Sequence, residues 1–210
     1  MNIHILAGGP VSLVPDFNEK KGLWVGVDRG VYELMQYGIQ PDYAFGDFDS
    51  FPENEKSALE NQSEVFVYPP EKDQTDLELA VDWALQQQPE TLDIYGATGG
   101  RLDHEWANIQ LLKKGLGTKT EMAIVDVQNR MILRSPGHYE IRKAQEYPYV
   151  SFLPLAESIK GLTLEGFKYP LDHMDIQADS TLTVSNELIA ESGTYSFDSG
   201  IVLVIRSCDL

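Results

Sequence analysis

The sequence contains little cysteine, few basic side chains and no long apolar run, and each shortage excludes a class of protein. The single cysteine, Cys208, permits no disulfide within the chain, which fits a reducing compartment. No run of about 18 apolar residues is present, so no membrane-spanning helix is predicted. Residues 1–9 lack the charged and apolar segments of a signal peptide. We therefore expect a cytoplasmic protein with no membrane partner.

The shortage of basic residues is the feature of the composition that says most about possible binding partners. Lys and Arg together number 16 against 33 Asp and Glu, for a net charge of −17. A nucleic-acid backbone needs clustered Lys and Arg, so no nucleic-acid partner is expected. The negative electrostatic potential of such a protein suits a cationic or metal-bound ligand better. The 210 residues, 42% of them hydrophobic, are enough to bury a globular core.

Strands and helices alternate through the first part of the chain. We predict strands at 3–7, 24–27, 43–46, 65–68, 92–95 and 122–127, and helices at 31–37, 53–62, 75–88 and 102–114. The clearest helix follows Thr75, which forms a capping-box pattern with Glu78. This alternation predicts an α/β domain over 1–130, with a mostly parallel Rossmann-like sheet and helices on both faces.

Helical periodicity disappears after about Asn129. Short β-type runs follow at 131–133, 139–141, 149–153, 161–165, 181–184 and 201–206, separated by turn sequences such as 135–137 and 191–193. Short strands with frequent turns are typical of an antiparallel β-sandwich or barrel. We therefore predict a second domain over 131–210.

Polar residues and glycines follow four of the predicted strands. They are Asp28, Arg29 and Gly30; Asp47 and Asp49; Asp73, Gln74, Thr75 and Asp76; and Gly99, Gly100, Arg101, Asp103 and His104. In an open parallel sheet, ligands bind beyond the carboxyl ends of the strands. The sequence therefore predicts one site that these residues share.

Asp47 and Asp49 are the best candidates for a metal site. Residues two apart in an extended chain point to the same side, and adjacent carboxylates repel unless a cation lies between them. Mg²⁺ prefers such oxygen ligands together with substrate phosphates. Asp73 and Asp76 are further candidate ligands. A solvated turn at 46–50 and helix capping at 73–76 remain the alternatives.

The segment Gly99-Gly100-Arg101 precedes a predicted helix and suits a phosphate group. Glycines allow close approach of the backbone, a helix N-terminus offers free N–H groups, and arginine adds a planar donor fork. His104 could donate to the same phosphate, and Asn108 lies one turn further on. A plain glycine turn with a surface arginine is the alternative.

Taken in order, these motifs resemble those of the thiamine pyrophosphokinase family. The matching segments are 28–30, 38–42 with 46–50, 73–78, 99–104 with Asn108, 161–171 and 184–187. The likeness covers nearly the whole chain. One departure is Arg29, where many members of the family have a small residue.

The resemblance implies a homodimer that transfers the pyrophosphoryl group of ATP to the hydroxyl of thiamine, with Mg²⁺, releasing AMP. The first domain would bind ATP and Mg²⁺ and the second thiamine, with each site at the subunit interface. The implied catalytic residues are Asp47, Asp49, Asp76 and Arg101, and the implied metal ligands are Asp47, Asp49, Asp73 and Asp76. The implied ATP-binding residues are Asp28, Gln74, Gly99, Gly100, Arg101, Asp103, His104 and Asn108. Ser185, Asn186 and Tyr169 would bind thiamine, with Phe167 as a second candidate for the ring contact.

Three other functions are open on the residues alone. A metal-dependent pyrophosphohydrolase would use Asp47, Asp49 and Asp76 to activate water. A thiamine-binding module without catalysis would bind thiamine and turn over no ATP. A purely structural protein would use the acids as helix caps and solvated turns, which leaves their position after three strands unexplained.

Overall fold

The computed structural model describes residues 1–16, 20–48, 64–67 and 73–209. These residues form a mixed α/β structure with a large mixed sheet and a separate antiparallel sheet. The expected mostly parallel, Rossmann-like description is not supported for the large sheet, which is mixed because antiparallel pairs belong to it together with parallel pairs. The chain divides into two compact units, Met1–Val127 and Gln128–Leu210. The predicted helix 53–62 lies outside the described residues.

In the first unit, parallel strands pair in the order β6-β5-β1-β2-β3-β4. Their bounds are β1 Asn2–Leu6, β2 Leu23–Val27, β3 Tyr43–Gly46, β4 Glu64–Val67, β5 Thr91–Tyr95 and β6 Glu121–Val125. Apolar side chains such as Ile3, Ile5 and Ile94 are fully buried. Both faces of β1 are buried, because His4 and Leu6, which point opposite to Ile3 and Ile5, are also buried.

Among the described residues of this unit are three helices and two short 3₁₀ helices. They are α1 Arg29–Gln36, α2 Asp76–Gln86 and α3 Leu102–Leu111, with the 3₁₀ helices Val11–Leu13 and Leu112–Gly115. Thr75 caps α2, because its hydroxyl accepts the N–H of Glu78 at 3.2 Å. At the start of α1, a Cβ on Gly30 would lie 1.9 Å from the carbonyl oxygen of Leu6. Glycine is required there for α1 to approach the end of β1.

The second unit has strands in two layers. One layer pairs in the order β12-β9-β14-β7 and the other in the order β11-β10-β13-β8. The bounds are β7 Asn129–Arg134, β8 Gly137–Arg142, β9 Tyr149–Pro154, β10 Ser158–Glu165, β11 Leu171–Gln177, β12 Asn186–Glu187, β13 Ser192–Phe197 and β14 Val202–Ser207. Buried residues of both layers, among them Phe152, Leu162 and Tyr195, form one hydrophobic core. All described pairs in this unit are antiparallel.

The strand predicted at 181–184 is wrong. Val184 donates to the carbonyl of Thr181 in a turn, and the hydroxyl of Thr183 donates to the carbonyl of Phe152. The side chain thus replaces part of a strand ladder. The strand β11 was missed because its residues 172–175 are all exposed, so no alternation of apolar and polar residues marks it.

None of the described helices is long and apolar enough to cross a membrane.

Candidate active site

A cavity of about 780 Å³ lies within the first unit. It is bounded by the residues that follow the carboxyl ends of β1, β2 and β5 and by the N-terminal turns of α2 and α3. This is the position that parallel strands favour for a ligand. The cavity is therefore the first place to look for the residues that the sequence predicted.

The cavity brings most of the predicted nucleotide residues together. Its lining includes Asp28, Gln74, Asp76, Gly100, Arg101, Asp103, His104 and Asn108. Asp47 and Asp73 are exposed and are not in this lining. Asp49 lies outside the described residues, so the predicted Asp47 and Asp49 pair stays a prediction.

Lining residues that the predictions omitted come mainly from the loops after β1 and β5. Gly8 and Gly9 follow β1, and Thr98 follows β5. A Cβ on Gly9 would lie 2.4 Å from the carbonyl oxygen of Gly96, and its N–H donates to that oxygen at 2.8 Å. The two loops approach so closely that a side chain cannot fit. The diglycine after the first strand was the available signal.

Asp28 lies at the cavity with an unusual backbone. Its φ is 50°, which is uncommon for a residue other than glycine and is found at functional sites. Its N–H donates to the carbonyl of Phe45 at 2.9 Å. A Cβ on Gly46 would lie 2.8 Å from the Asp28 Oδ1 atom. The Asp28 carboxylate therefore lies beside the residue that precedes Asp47.

The guanidinium of Arg101 binds the carboxylate of Asp103 through two nitrogen atoms. Arg101 Nε lies 3.1 Å from Asp103 Oδ1, and Arg101 Nη2 lies 2.6 Å from Asp103 Oδ2. The backbone N–H of His104 also donates to Asp103 Oδ1 at 3.0 Å. The hydrogen bond from Arg101 lowers the pKa of Asp103, and the same bond raises the pKa of Arg101. This two-point geometry is the one in which arginine binds carboxylate or phosphate.

Side chains from α3 and from the residue after β6 hold the loop between β5 and α3. Asn108 Nδ2 donates to the carbonyl of Ala97 at 2.9 Å. Glu105 Oε2 accepts the N–H of Gly99 at 3.0 Å, and the Thr98 hydroxyl donates to buried Asp126 at 2.8 Å. Gly99 itself has a φ of 76°, which favours glycine. Asn108 thus positions the loop, a role that sequence reasoning did not assign to it.

Ser185, Asn186 and Tyr169 lie together in the second unit. Asn186 is 3% exposed and makes a two-way pair with the backbone of Tyr169. Its Oδ1 atom accepts the Tyr169 N–H at 3.0 Å, and its Nδ2 atom donates to the Tyr169 carbonyl at 2.8 Å. The tyrosine residue is 58% exposed. Asn186 therefore fixes the backbone that carries the exposed ring.

The other candidate ring, Phe167, belongs to the core. It is 2% exposed and makes an edge contact with Phe152 at 5.6 Å between ring centroids. Ser185 is exposed, has a φ of 55° and donates its N–H to the hydroxyl of Ser151 at 2.9 Å. Of the two aromatic candidates, Tyr169 is the one whose surface a ligand can reach.

Among the described residues, no group of three or more His, Cys, Asp or Glu side chains converges as a metal site. The carboxylates that line the cavity are those of Asp28, Asp76, Asp103 and Glu105. Asp103 is bound by Arg101 and Glu105 accepts the N–H of Gly99, whereas Asp47 is exposed near the end of β3. Carboxylate oxygens are ligands that Mg²⁺ accepts, usually one or two per ion with substrate phosphates completing the shell. These residues fit a Mg²⁺–phosphate ligand.

A cavity at the ends of parallel strands, with carboxylates, glycine turns and an arginine fork, is typical of proteins that bind phosphorylated ligands. Residues 14–125 match the family described as thiamin pyrophosphokinase, catalytic domain, and residues 138–202 match thiamin pyrophosphokinase, vitamin B1 binding domain. The chain belongs to the thiamine pyrophosphokinase family.

Close relatives extend this match over the full chain. Thiamine pyrophosphokinase of Bacillus subtilis (strain 168) is 49% identical over 99% of this chain and 99% of its own length. The crystal structure of thiamine pyrophosphokinase from Bacillus subtilis has a TM-score of 0.92, with 48% identity and complete coverage of both chains. A family protein from Enterococcus faecalis has a TM-score of 0.90, with 34% identity and complete coverage of both chains.

Proposed function

We propose that this chain transfers the pyrophosphoryl group of ATP to thiamine, which gives thiamine diphosphate and AMP. Membership of the thiamine pyrophosphokinase family supports the reaction. The observation that carries the proposal is the cavity of the first unit, where Asp76, Gly100 and Arg101 lie together. The first unit is the ATP-binding domain and the second is the thiamine-binding domain. The single cysteine is consistent with work in the reducing cytoplasm.

The polyphosphate of ATP binds at the N-terminal turn of α3. The first turn of this helix and the glycine loop before it present backbone N–H groups that suit phosphate oxygens. Carboxylates of this chain already accept two of these N–H groups: Asp103 accepts that of His104, and Glu105 accepts that of Gly99. The Arg101 fork already holds two carboxylate oxygens of Asp103. A phosphate presents a similar pair of oxygens, so it can take the place of Asp103 without any change in the donor geometry. His104 and Gln74 border the same space.

Mg²⁺ is part of this proposal, and Asp47, Asp49, Asp73 and Asp76 are its proposed ligands. When bound, Mg²⁺ neutralises charge on the transferred phosphates. Asp76 is the member of this set that lines the cavity, and Asp49 lies outside the described residues. Asp28 is a further carboxylate at the same end of the sheet.

Transfer to the β-phosphorus depends mainly on position and charge. Arg101 binds the phosphate oxygens and offsets their negative charge. An aspartate of the cavity orients the thiamine hydroxyl toward the phosphorus and takes its proton. The bond from the hydroxyl oxygen to the β-phosphorus forms as the bond between this phosphorus and the α-bridging oxygen breaks, and AMP leaves.

Thiamine binds through the second unit. The exposed ring of Tyr169 is available for contact with the cationic thiazolium, an attraction that aromatic faces provide. Ser185 contributes a hydroxyl, while Asn186 acts by fixing the backbone of Tyr169. We infer that the enzyme is a homodimer and that residues of two chains complete each site.

The reaction is tested by incubating the protein with ATP, Mg²⁺ and thiamine and separating the products. Equal amounts of thiamine diphosphate and AMP support the proposal. AMP and free pyrophosphate with unmodified thiamine would show a hydrolase instead.

The shared site is tested by subunit mixing. A variant with Asp76→Asn is combined with a variant carrying Tyr169→Ala and Ser185→Ala, and the two are re-equilibrated. Recovery of activity supports a site built from two chains. Absence of recovery in a sample with mixed dimers would show that each chain builds its own site.

A further inference from the structure

Gln74 is hydrogen-bonded to one of a group of charged side chains that have no part in the proposed mechanism. Its Nε2 atom donates to Asp82 Oδ2 at 3.0 Å. Gln74 lines the cavity, whereas Asp82, on α2, does not. The contact therefore links a cavity residue to a residue outside the cavity.

Asp82 is in turn held by Lys114, which lies in the 3₁₀ helix that follows α3. Lys114 Nζ lies 2.7 Å from Asp82 Oδ1 and 3.0 Å from Asp82 Oδ2. It also lies 3.0 Å from Glu78 Oε1. The three side chains are partly buried, with exposures of 31% for Lys114, 34% for Asp82 and 28% for Glu78.

The chemistry of these groups decides the orientation of the Gln74 amide. An ionised carboxylate only accepts hydrogen bonds, so the amide must present its NH₂ group to Asp82. Lys114 Nζ lies within hydrogen-bond distance of three carboxylate oxygens, two of Asp82 and one of Glu78, and its ammonium has three donors to match them. The hydrogen bond with Asp82 also raises the pKa of Lys114, so the ammonium keeps its charge at neutral pH. With one N–H of the amide held by Asp82, Gln74 has one defined amide orientation and keeps its second N–H for a phosphate oxygen, because the amide nitrogen carries two donors.

We propose that Asp82 and Lys114 are positioning residues, which fix the Gln74 amide for contact with the nucleotide polyphosphate. This inference rests on the proposed function, because it takes the cavity to be the nucleotide site. A freely rotating glutamine loses side-chain entropy when it binds, and a glutamine held in advance loses less. Removal of Asp82 or Lys114 therefore weakens nucleotide binding although neither residue contacts the nucleotide.

A merely structural role makes a different prediction. Lys114 also joins α2 to the segment after α3, so its loss could lower stability alone. Partly exposed ion pairs contribute little to stability. A structural bridge would change the unfolding midpoint and leave the affinity for ATP as it was. The affinity for ATP separates the two roles.

The test is a double-mutant cycle on the full chain, with the Kd of ATP measured by calorimetry in the presence of Mg²⁺. Gln74→Ala should weaken ATP binding by about tenfold, the loss of one hydrogen bond to a charged ligand. Asp82→Ala should weaken it by a similar factor. The double variant should be no weaker than Gln74→Ala alone, because Asp82 acts through Gln74. The KM for thiamine should stay within about twofold in each variant.

Lys113 supplies a matched control. It is adjacent to Lys114 and exposed. Lys114→Met should weaken ATP binding, whereas Lys113→Met should leave it unchanged. Lys114→Arg should retain most of the affinity for ATP, because arginine keeps the charge and the donors. Both methionine variants carry the same net charge.

Three results would overturn the inference. The first is a double variant whose increase in the Kd of ATP equals the product of the increases caused by Gln74→Ala and Asp82→Ala. The second is an unchanged Kd in either of these single variants. The third is an equal change in Kd for Lys113→Met and Lys114→Met. Because the Kd needs no turnover, these results are separate from the product assay. A wild-type protein that binds ATP and makes no thiamine diphosphate would refute the proposed reaction and leave the Gln74 coupling measurable.

Discussion

The candidate residues of the first unit lie on loops and on helices α2 and α3 around a cavity, whereas Asn186 of the second unit takes part in holding its fold together. Asp76, Gly100 and Arg101 follow strand ends and line a cavity. Asn186 is buried, and its amide is used by the backbone of Tyr169. In the first unit, substitution should therefore change the chemistry and spare the fold. In the second, substitution of Asn186 should change the fold first. The following experiments test this contrast, from the largest expected effect to the smallest.

Asp76→Asn should reduce kcat by about a hundredfold or more, because it removes a carboxylate from the proposed metal–phosphate site, where a bound metal would contribute several kcal/mol of charge stabilisation. The helix should remain, since Thr75 still caps α2. The measurement is kcat at saturating ATP, Mg²⁺ and thiamine, with circular dichroism as a check on folding. Activity within twofold of wild type would remove Asp76 from the site.

Asn186→Ala should lower the free energy of unfolding by about 2–4 kcal/mol, because it leaves the N–H and carbonyl of Tyr169 without their partner. Urea denaturation measures this loss. Ser185→Ala is the control, since Ser185 donates to the hydroxyl of Ser151 through its backbone N–H, which alanine keeps. It should change stability by less than about 0.5 kcal/mol. Equal stability of the two variants would contradict the structural role of Asn186.

Arg101→Lys should reduce kcat/KM for ATP by about tenfold, because the ammonium keeps the charge and loses the two-point fork. Stability should hardly change, since Arg101 is exposed. Steady-state kinetics at varied ATP, with urea denaturation in parallel, measure both. If lysine supports full activity, charge alone matters at this position.

The smallest expected effect is that of His4 on how the free energy of unfolding depends on pH. Burial is the main cause that lowers its pKa below the ordinary 6.5, opposed by its contact with the Lys21 carbonyl and by Asp93, and reinforced by Lys20. Below pH 6.5 the unfolded chain takes up a proton that the folded chain resists. The His4 contribution is therefore fully present above this pH and is lost as pH falls toward the folded pKa.

His4→Phe should reduce the loss of stability between neutral and mildly acidic pH, as measured by urea denaturation. The ring of His4 packs 4.8 Å from that of Trp24, so an aromatic replacement keeps the contact. His138→Gln, at an exposed histidine, is the control. If the wild type and His4→Phe show parallel pH profiles, His4 does not carry the effect.

Local signals predicted much of the first unit. Thr75 and Glu78 marked the start of α2, and the glycines after β5 marked the turn before α3. The same approach failed at 181–184. The β-type residues there form a turn, in which the side chain of Thr183 donates to the carbonyl of Phe152 in β9. It also failed at 192–193, where Gly193 suggested a turn and lies within β13. Propensity is a weak guide where cross-strand contacts decide.

The sequence by itself determined the order of motifs, the family and the alternation of strands and helices in the first unit. These features depend on residue type and spacing along the chain, which sequence records directly. The tertiary structure alone decided how the side chains are used. Asn186 meets Tyr169 across 17 residues, and Lys114 meets Asp82 across 32. Partners so far apart are brought together by folding, so the spacing of the chain carries no sign of them.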